Sequence, residues 1–432
     1  MKLKPVLGLV QLAFYGIGII VGAGVYSVIG SAAGMAQQNL WLSFLIGAGV
    51  ALLTGFSYAE MTTSFPSAGA EYKYLKEAMP GAGLIAFVVG LVVLIGGAAA
   101  AATVAVAFGG YLKTFLDVPE WLAASALLAA CTGLNIWGLR ESSWTNIAFT
   151  SIEVAGLALV IAAGTTTGRL LAPFWEATST GVLPAASTVF FVYLGFEKIS
   201  NMTEEVQNPA RNIPIAIFLS LGVTAVLYVL VSLAVVVLAA PSELARSDAP
   251  VALAIENAWP GSGAVLSAIA IFSTANTVLI SLVAGSRLAY SMGRENEIPA
   301  IFAAILPGRD TPWIAAIFTF ALSEFLLPLG NLQVLAELSS LTALLAFLAV
   351  NLALIVLRYR LPDRPRPFRA PLSIGRMPVL SVLAIASICV LLANFDREIY
   401  MLGFGAILLS CVAYFLTRKP LRGLDRSDQP RF

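Results

Sequence analysis

The chain has 432 residues, of which 59% are hydrophobic and 11% charged, with a mean hydropathy of +0.89. No water-soluble globule can carry that composition on its surface, so the sequence reads as an integral membrane protein. A net charge of +1 excludes the broad basic field that nucleic-acid binding needs, and the absence of histidine excludes the usual zinc constellations and any Ser-His or Cys-His pair.

A membrane-spanning helix needs roughly 20 apolar residues. Twelve segments are predicted, at 8–34, 40–64, 82–114, 121–139, 144–164, 181–202, 213–239, 264–292, 312–328, 332–358, 377–394 and 398–417. The amphipathic piece EYKYLKEAM, Glu71 to Met79, separates the second from the third. The N-terminal MKLKPVLGLVQ lacks a small-residue cleavage site and runs on to full spanning length, so it reads as a retained first helix. Cys131, Cys389 and Cys411 all lie within apolar runs. No long polar linker interrupts the series, and one membrane domain over 1–432 is expected.

Placing both termini on one side puts 20 of the 25 Lys and Arg residues there and four opposite, with Lys198 inside a span. The positive-inside rule then makes both termini cytoplasmic. The run RYRLPDRPRPFRAP, Arg358 to Pro371, anchors this orientation, being too rich in proline for helix and too basic to cross.

The first span contains GIGIIVGAGVYSVIG, Gly16 to Gly30, with five glycines in fifteen residues. Gly18, Gly22 and Gly24 are spaced in a way that a single packing face cannot use, so they read as an interruption of the helix. Gly81, Gly83, Gly90, Gly96 and Gly97 read instead as close-packing positions. The sixth span, VFFVYLGFEKISNMTEEV from Val189 to Val206, carries Gly195, Glu197 and Lys198 in mid-run. It holds the same place in a second set of five as the first span does in the first set. Paired interruptions of this kind point to an inverted-repeat transporter with a midplane binding site. Unwound backbone offers N–H groups to a carboxylate and carbonyls to an ammonium.

With these pieces in view, the chain resembles the amino acid–polyamine–organocation superfamily of transporters. The resemblance rests on GIIVGAGVYSVIG, YAEMTTSFPSAGAEYKYLKEA (Tyr58 to Ala78), FFVYLGFEKISNMTEEVQNPARNIPIAI (Phe190 to Ile217), SRLAYSMGRENEIP (Ser286 to Pro299) and LTALLAFLAVNLALIVLRYRLPDRPRPFRAP (Leu341 to Pro371), in that order. The GAG form of the first motif is most similar to the cationic-amino-acid-transporter branch and its prokaryotic relatives. The resemblance implies an all-α, leucine-transporter-type fold. Five-helix repeats over 8–164 and 181–358 would be inverted relative to one another, with helices 1 and 6 broken and two further helices over 377–417. It also implies a substrate carboxylate at the main chain of Val21, Gly22, Ala23 and Gly24, an amino group near carbonyls of Ile19, Phe191 and Leu194, and Phe191 as an aromatic gate. The third span is small and apolar over GGAAAAATVAVAFGG, Gly96 to Gly110, and few charges lie near the midplane. A neutral, apolar L-amino acid is therefore favoured over a cationic one.

Glu153 is the sharpest embedded charge, in NIAFTSIEVAGLALVIAAG from Asn146 to Gly164. Proton-coupled relatives carry a lysine at the aligned position, so the charge type here is reversed. Glu153 could carry a proton, or it could bind Na⁺ with carbonyls of Gly18 and Val21 and hydroxyls of Ser273 and Thr277, which lie four apart on one helical face beside Asn276. Proton coupling is favoured, with sodium coupling and uncoupled exchange left open; no cofactor or resident metal is expected. Glu197 matches a glutamate that some relatives use in proton sensing. Glu60, Glu324 and Glu337 read as structural groups at span ends, and Glu204 and Glu205 as partners of Lys or Arg.

No span carries the continuous polar stripe of a channel, and no catalytic cluster of an enzyme is visible. A membrane amino-acid sensor is the rival from another class. The expected partners are a small-molecule amino acid and the lipid bilayer, and the expected location is the plasma membrane. The loop around 113–120 lacks the cysteine through which light-chain relatives join a heavy chain, so no disulfide-linked partner is expected.

Overall fold

A continuously apolar backbone in lipid must satisfy its own N–H and C=O groups, and the chain does so by forming helix nearly end to end. The computed structural model describes residues 7–22, 24–66, 70–81, 83–138, 143–174, 181–309, 311–329 and 332–417. Its first half comprises α1 (Leu9–Val21), α2 (Gly24–Ala36), α3 (Leu40–Ser64), α4 (Ala70–Ala78), α5 (Gly83–Leu112), α6 (Glu120–Trp137) and α7 (Ser143–Thr166). The second half opens with α8 (Val182–Val189), which passes into 3₁₀ turns at Phe190–Tyr193 and Phe196–Glu205. Then come α9 (Pro209–Leu238), the short α10 (Pro241–Leu244) and α11 (Pro250–Ala258), α12 (Ser262–Arg294), α13 (Trp313–Leu326) and α14 (Leu332–Arg360). A two-residue hairpin, Ser373–Ile374 with Met377–Pro378, leads to α15 (Val379–Leu392) and α16 (Arg397–Thr417).

Eight stretches of the described residues are long and apolar enough to cross a membrane, and the first, Leu9–Ser64, takes in α1, α2 and α3. The protein is thus a mainly helical, multi-pass membrane protein. Three of the predicted spans do not qualify by this measure. Helices α13 and α15 have 14 residues each, about 21 Å of rise against a hydrocarbon core of about 30 Å. Helix α6 has 18 residues, and Ser125, Thr132 and Asn135 dilute its apolar run. No span is predicted over 240–261, where the short α10 and α11 form.

Helix α5 is the central post and packs on α12, α14, α6, α13 and α16. Small residues make this possible: a side chain at Gly90 would meet Met292, and one at Gly96 would sit 2.1 Å from Thr342 Oγ1. Gly97 has open space beside it, and Gly81 instead serves a turn at φ +105°. Helix α1 packs on α9 and α7, α2 on α8, and α3 on α9, α8 and α15.

The basic loop after α14 folds back onto α3 through a buried ionic knot. Arg358 Nε donates to Glu60 Oε1 at 2.9 Å, Arg366 Nε lies 3.2 Å from the same oxygen, and the Ala370 amide donates to Oε2 at 2.8 Å. Arg364 stacks 3.8 Å above the Phe65 ring and donates to the Ser64 carbonyl, while Arg360 caps the Ala78 carbonyl that ends α4. Glu60 is therefore structural, as expected. Glu324 accepts from Ser125, and Glu337 accepts from Thr188 and Gln333, so both tie neighbouring helices together. The side chains of Glu204 and Glu205 lie outside the described residues.

Candidate substrate and ion site

The two predicted interruptions are present. Helix α1 stops at Val21, Gly22 leaves the helical region at φ −23°, ψ −150°, and α2 starts at Gly24. In the sixth span Leu194 is extended and Gly195 takes φ +125°, a conformation that L side chains rarely adopt. The breaks meet. A Cβ on Gly195 would lie 2.2 Å from Ile19 Cγ2, and one on Gly24 would lie 3.0 Å from Val192 Cα. A Cβ on Gly22 would lie 2.3 Å from Thr277 Oγ1, which brings α12 to the same place. Glycine is required here for close approach between three elements.

A cavity of about 40 Å³ opens beside the breaks. Ile19, Ile20 and Gly24 line one side, Phe191, Val192 and Leu194 a second, and Ala100 and Val104 of α5 with Thr277, Ile280 and Ser281 of α12 the rest. Lys198 completes the lining. Of the predicted contacts, Ile19, Gly24, Phe191 and Leu194 face this cavity. Ala23 lies outside the described residues. Val21 ends α1 without lining the space, and the Gly22 amide donates to the Gly18 carbonyl at 3.0 Å. The Phe191 carbonyl already accepts from the Leu194 amide at 3.2 Å. The Gly195 amide donates to Glu197 Oε2 at 2.7 Å, so Glu197 caps the second break.

Glu153 of α7 is fully buried. Ser273 and Asn276 of α12 lie alongside it, yet neither carboxylate oxygen has a partner in ordinary hydrogen-bond geometry among the described residues. The hydroxyls of Ser273 and Tyr26 are likewise buried and unpartnered. Tyr26 OH lies 3.1 Å from the Cβ position of Gly156, one turn along α7 from Glu153. Three elements thus bring orphaned oxygens together, a costly arrangement that invites a proton or a hard cation. Thr277 sits one turn beyond Ser273 and faces the cavity.

The sequence profile of the family described as "Amino acid permease" matches residues 7–414. The chain belongs to that family. The branched-chain amino acid permease BcaP of Bacillus subtilis is 30% identical over 96% of this chain and 93% of its own length. The methylthioribose transporter of the same organism is 30% identical over 90% of this chain and 87% of its own. The vacuolar cationic amino acid transporter 4 of Arabidopsis thaliana is 31% identical over 84% of this chain and 64% of its own. The permease is accordingly a transporter and not an enzyme, and it falls within the superfamily that its motifs resemble.

Several groups at the permease's site escaped the sequence reading. Tyr228 of α9 donates to the Ile20 carbonyl, and its hydroxyl also stands 3.4 Å from the Val192 carbonyl, so one side chain serves both breaks. Tyr26 belongs to the GIIVGAGVYSVIG motif, which gives its hydroxyl no role of its own. Glu71 of α4 accepts from Tyr58 OH at 2.9 Å and lies within electrostatic reach of Glu197 and Lys198. Burial pushes its carboxyl up to about 7, with the Glu197 charge adding to the rise and the Tyr58 bond and Lys198 opposing it. A polar residue on an amphipathic loop helix gives no sequence signal of such burial. Further along α4, Lys76 reaches Glu295 at 3.2 Å and Glu297 at 3.4 Å beyond α12, and Tyr72 also donates to Glu297.

Proposed function

We propose that this permease is a secondary transporter of neutral, apolar L-amino acids that works by alternating access. The reading takes the chain as one domain of twelve transmembrane helices, in two inverted sets of five plus a terminal pair, with both termini cytoplasmic in the plasma membrane. The observation that carries it is the meeting of two broken helices at a small, mostly hydrocarbon-lined cavity. Backbone at the breaks recognises the α-amino and α-carboxylate groups common to all amino acids, and the walls of Ile19, Ile20, Ala100, Val104 and Ile280 select an apolar side chain. Phe191 covers the substrate. The name of BcaP supports this substrate class. A methylthioribose-like substrate would bring several sugar hydroxyls to a lining that offers few partners, which argues against it.

Glu153 serves as the coupling group, taking up a proton alongside Tyr26 and Ser273. The same orphaned oxygens favour sodium as the second reading, with carbonyls of Gly18 and Val21 and the hydroxyl of Thr277 completing the shell. Uptake of labelled leucine into proteoliposomes tests both. An imposed inward proton gradient is expected to drive accumulation in sodium-free buffer, and Glu153→Gln to abolish the accumulation while leaving leucine counterflow measurable. Accumulation only with sodium transfers the role to the cation. Accumulation in Glu153→Gln equal to wild type removes Glu153 from coupling, and competition by methylthioribose equal to leucine overturns the substrate class.

A further inference from the structure

Among the described residues Lys198 is the only charged one lining the cavity. It stands three residues beyond the Gly195 break, on the 3₁₀ segment Phe196–Glu205. Among the described residues no hydrogen bond or ion pair engages its Nζ. The two carboxylates closest in influence are Glu197 and Glu71, and both are committed elsewhere: Glu197 accepts the Gly195 amide and Glu71 accepts Tyr58 OH. Neither makes a hydrogen bond or an ion pair with Lys198 Nζ. A cationic residue therefore forms part of the wall of a cavity of about 40 Å³ whose other lining residues are apolar or carry only hydroxyls.

We infer that Lys198 is a specificity-determining residue, a charge filter that admits uncharged side chains and excludes cationic ones. In so small a space a second cation on the substrate cannot retreat from the ammonium. Little water is present to screen the repulsion, so like charges meet at a fraction of the bulk dielectric constant. The α-ammonium of the substrate escapes the penalty because its own carboxylate travels with it and the broken-helix carbonyls receive it. The filter rests on the amino-acid substrate reading above and sharpens it, by supplying the repulsive element that hydrocarbon walls alone lack.

The test compares lysine with norleucine, its near-isostere without the amine, as competitors of labelled leucine counterflow in proteoliposomes. Wild type is expected to admit norleucine and to bind lysine at least about tenfold more weakly, the effect of one close like-charge contact. Lys198→Met is expected to shrink that ratio by about tenfold, and Lys198→Arg to preserve it. A ratio in the Met variant within about threefold of wild type overturns the filter. Should the Met variant fail to give a monodisperse protein, the wild type alone decides: 2,4-diaminobutyrate competing as well as norvaline overturns the filter, and its exclusion supports it. Wild type that exchanges lysine but not leucine overturns the substrate reading itself. Leucine exchange with an unmoved ratio overturns only the filter.

Discussion

Replacing Gly195 by alanine perturbs the second break in two separable ways. The residue sits at φ +125°, ψ −26°, and holding a non-glycine residue in so sparsely populated a region costs about 1–3 kcal/mol. The added methyl would also lie 2.2 Å from Ile19 Cγ2, where ordinary contact begins near 3.4 Å. Ile19 cannot yield by rotating a flexible tip, because Cγ2 is fixed to its Cβ and Ile19 itself lies in the last turn of α1, where the first break begins. Overpacking of this kind costs about 1–3 kcal/mol more. Gly195→Ala is therefore expected to lose about 2–6 kcal/mol of folding free energy in reversible SDS unfolding from mixed micelles, together with most leucine uptake. Ile19→Ala removes the methyl that collides but leaves the dihedral strain. In a double-mutant cycle the pair is expected to show a favourable coupling of about 1–3 kcal/mol. Strict additivity of the two substitutions would refute the claim that the breaks press on each other.

The remaining expectations concern charges outside the cavity. Glu71 has a folded value of about 7 against an ordinary 4.5, so the folded protein holds its proton more tightly than the unfolded chain. Stability contributed by the neutral group is fully present below about 4.5, declines as pH rises, and levels off above about 7, a loss of about 3 kcal/mol. Unfolding of wild type and Glu71→Gln at pH 5, 6 and 8 checks this: the variant should gain on the wild type as pH rises, and a constant difference would contradict the assignment. Arg358→Ala leaves the buried Glu60 carboxylate with Arg366 as its one remaining ionic partner beside the Ala370 amide, and about 3–5 kcal/mol of destabilisation is expected. Size-exclusion profiles should show little monodisperse protein.

Much of the site was legible because the exceptions to helix chemistry are written in residue type. Gly18, Gly22 and Gly24 cluster where no packing face can use them all, and Gly195 precedes two charges in an apolar run, so both breaks could be placed from sequence. Glu153 was equally visible as a lone carboxylate in hydrocarbon. Tyr228 and Tyr26 were not, since a tyrosine in a membrane helix is ordinary and its hydroxyl acquires meaning only from a carbonyl or carboxylate supplied by a distant segment. Lys198 was visible as a charge in a span, but that it lines the cavity depends on the packing of the second break against α1, α5 and α12, which sequence does not give. The predicted 377–394 runs two residues past α15 at each end because its composition continues into turns, whereas 312–328 lies within one residue of the helical stretch Trp313–Leu329. Glu71 was hidden because an amphipathic helix with Lys73, Lys76 and Glu77 around it looks wholly solvated.

The tyrosine on α9 that attends both discontinuities has a single proton to give. While the two half-rods stay close, that proton can be shared between them. If they part by more than a fraction of an ångström it must side with one, and the abandoned oxygen must find water or cargo. Motion of either rod is thereby felt by the other through one atom.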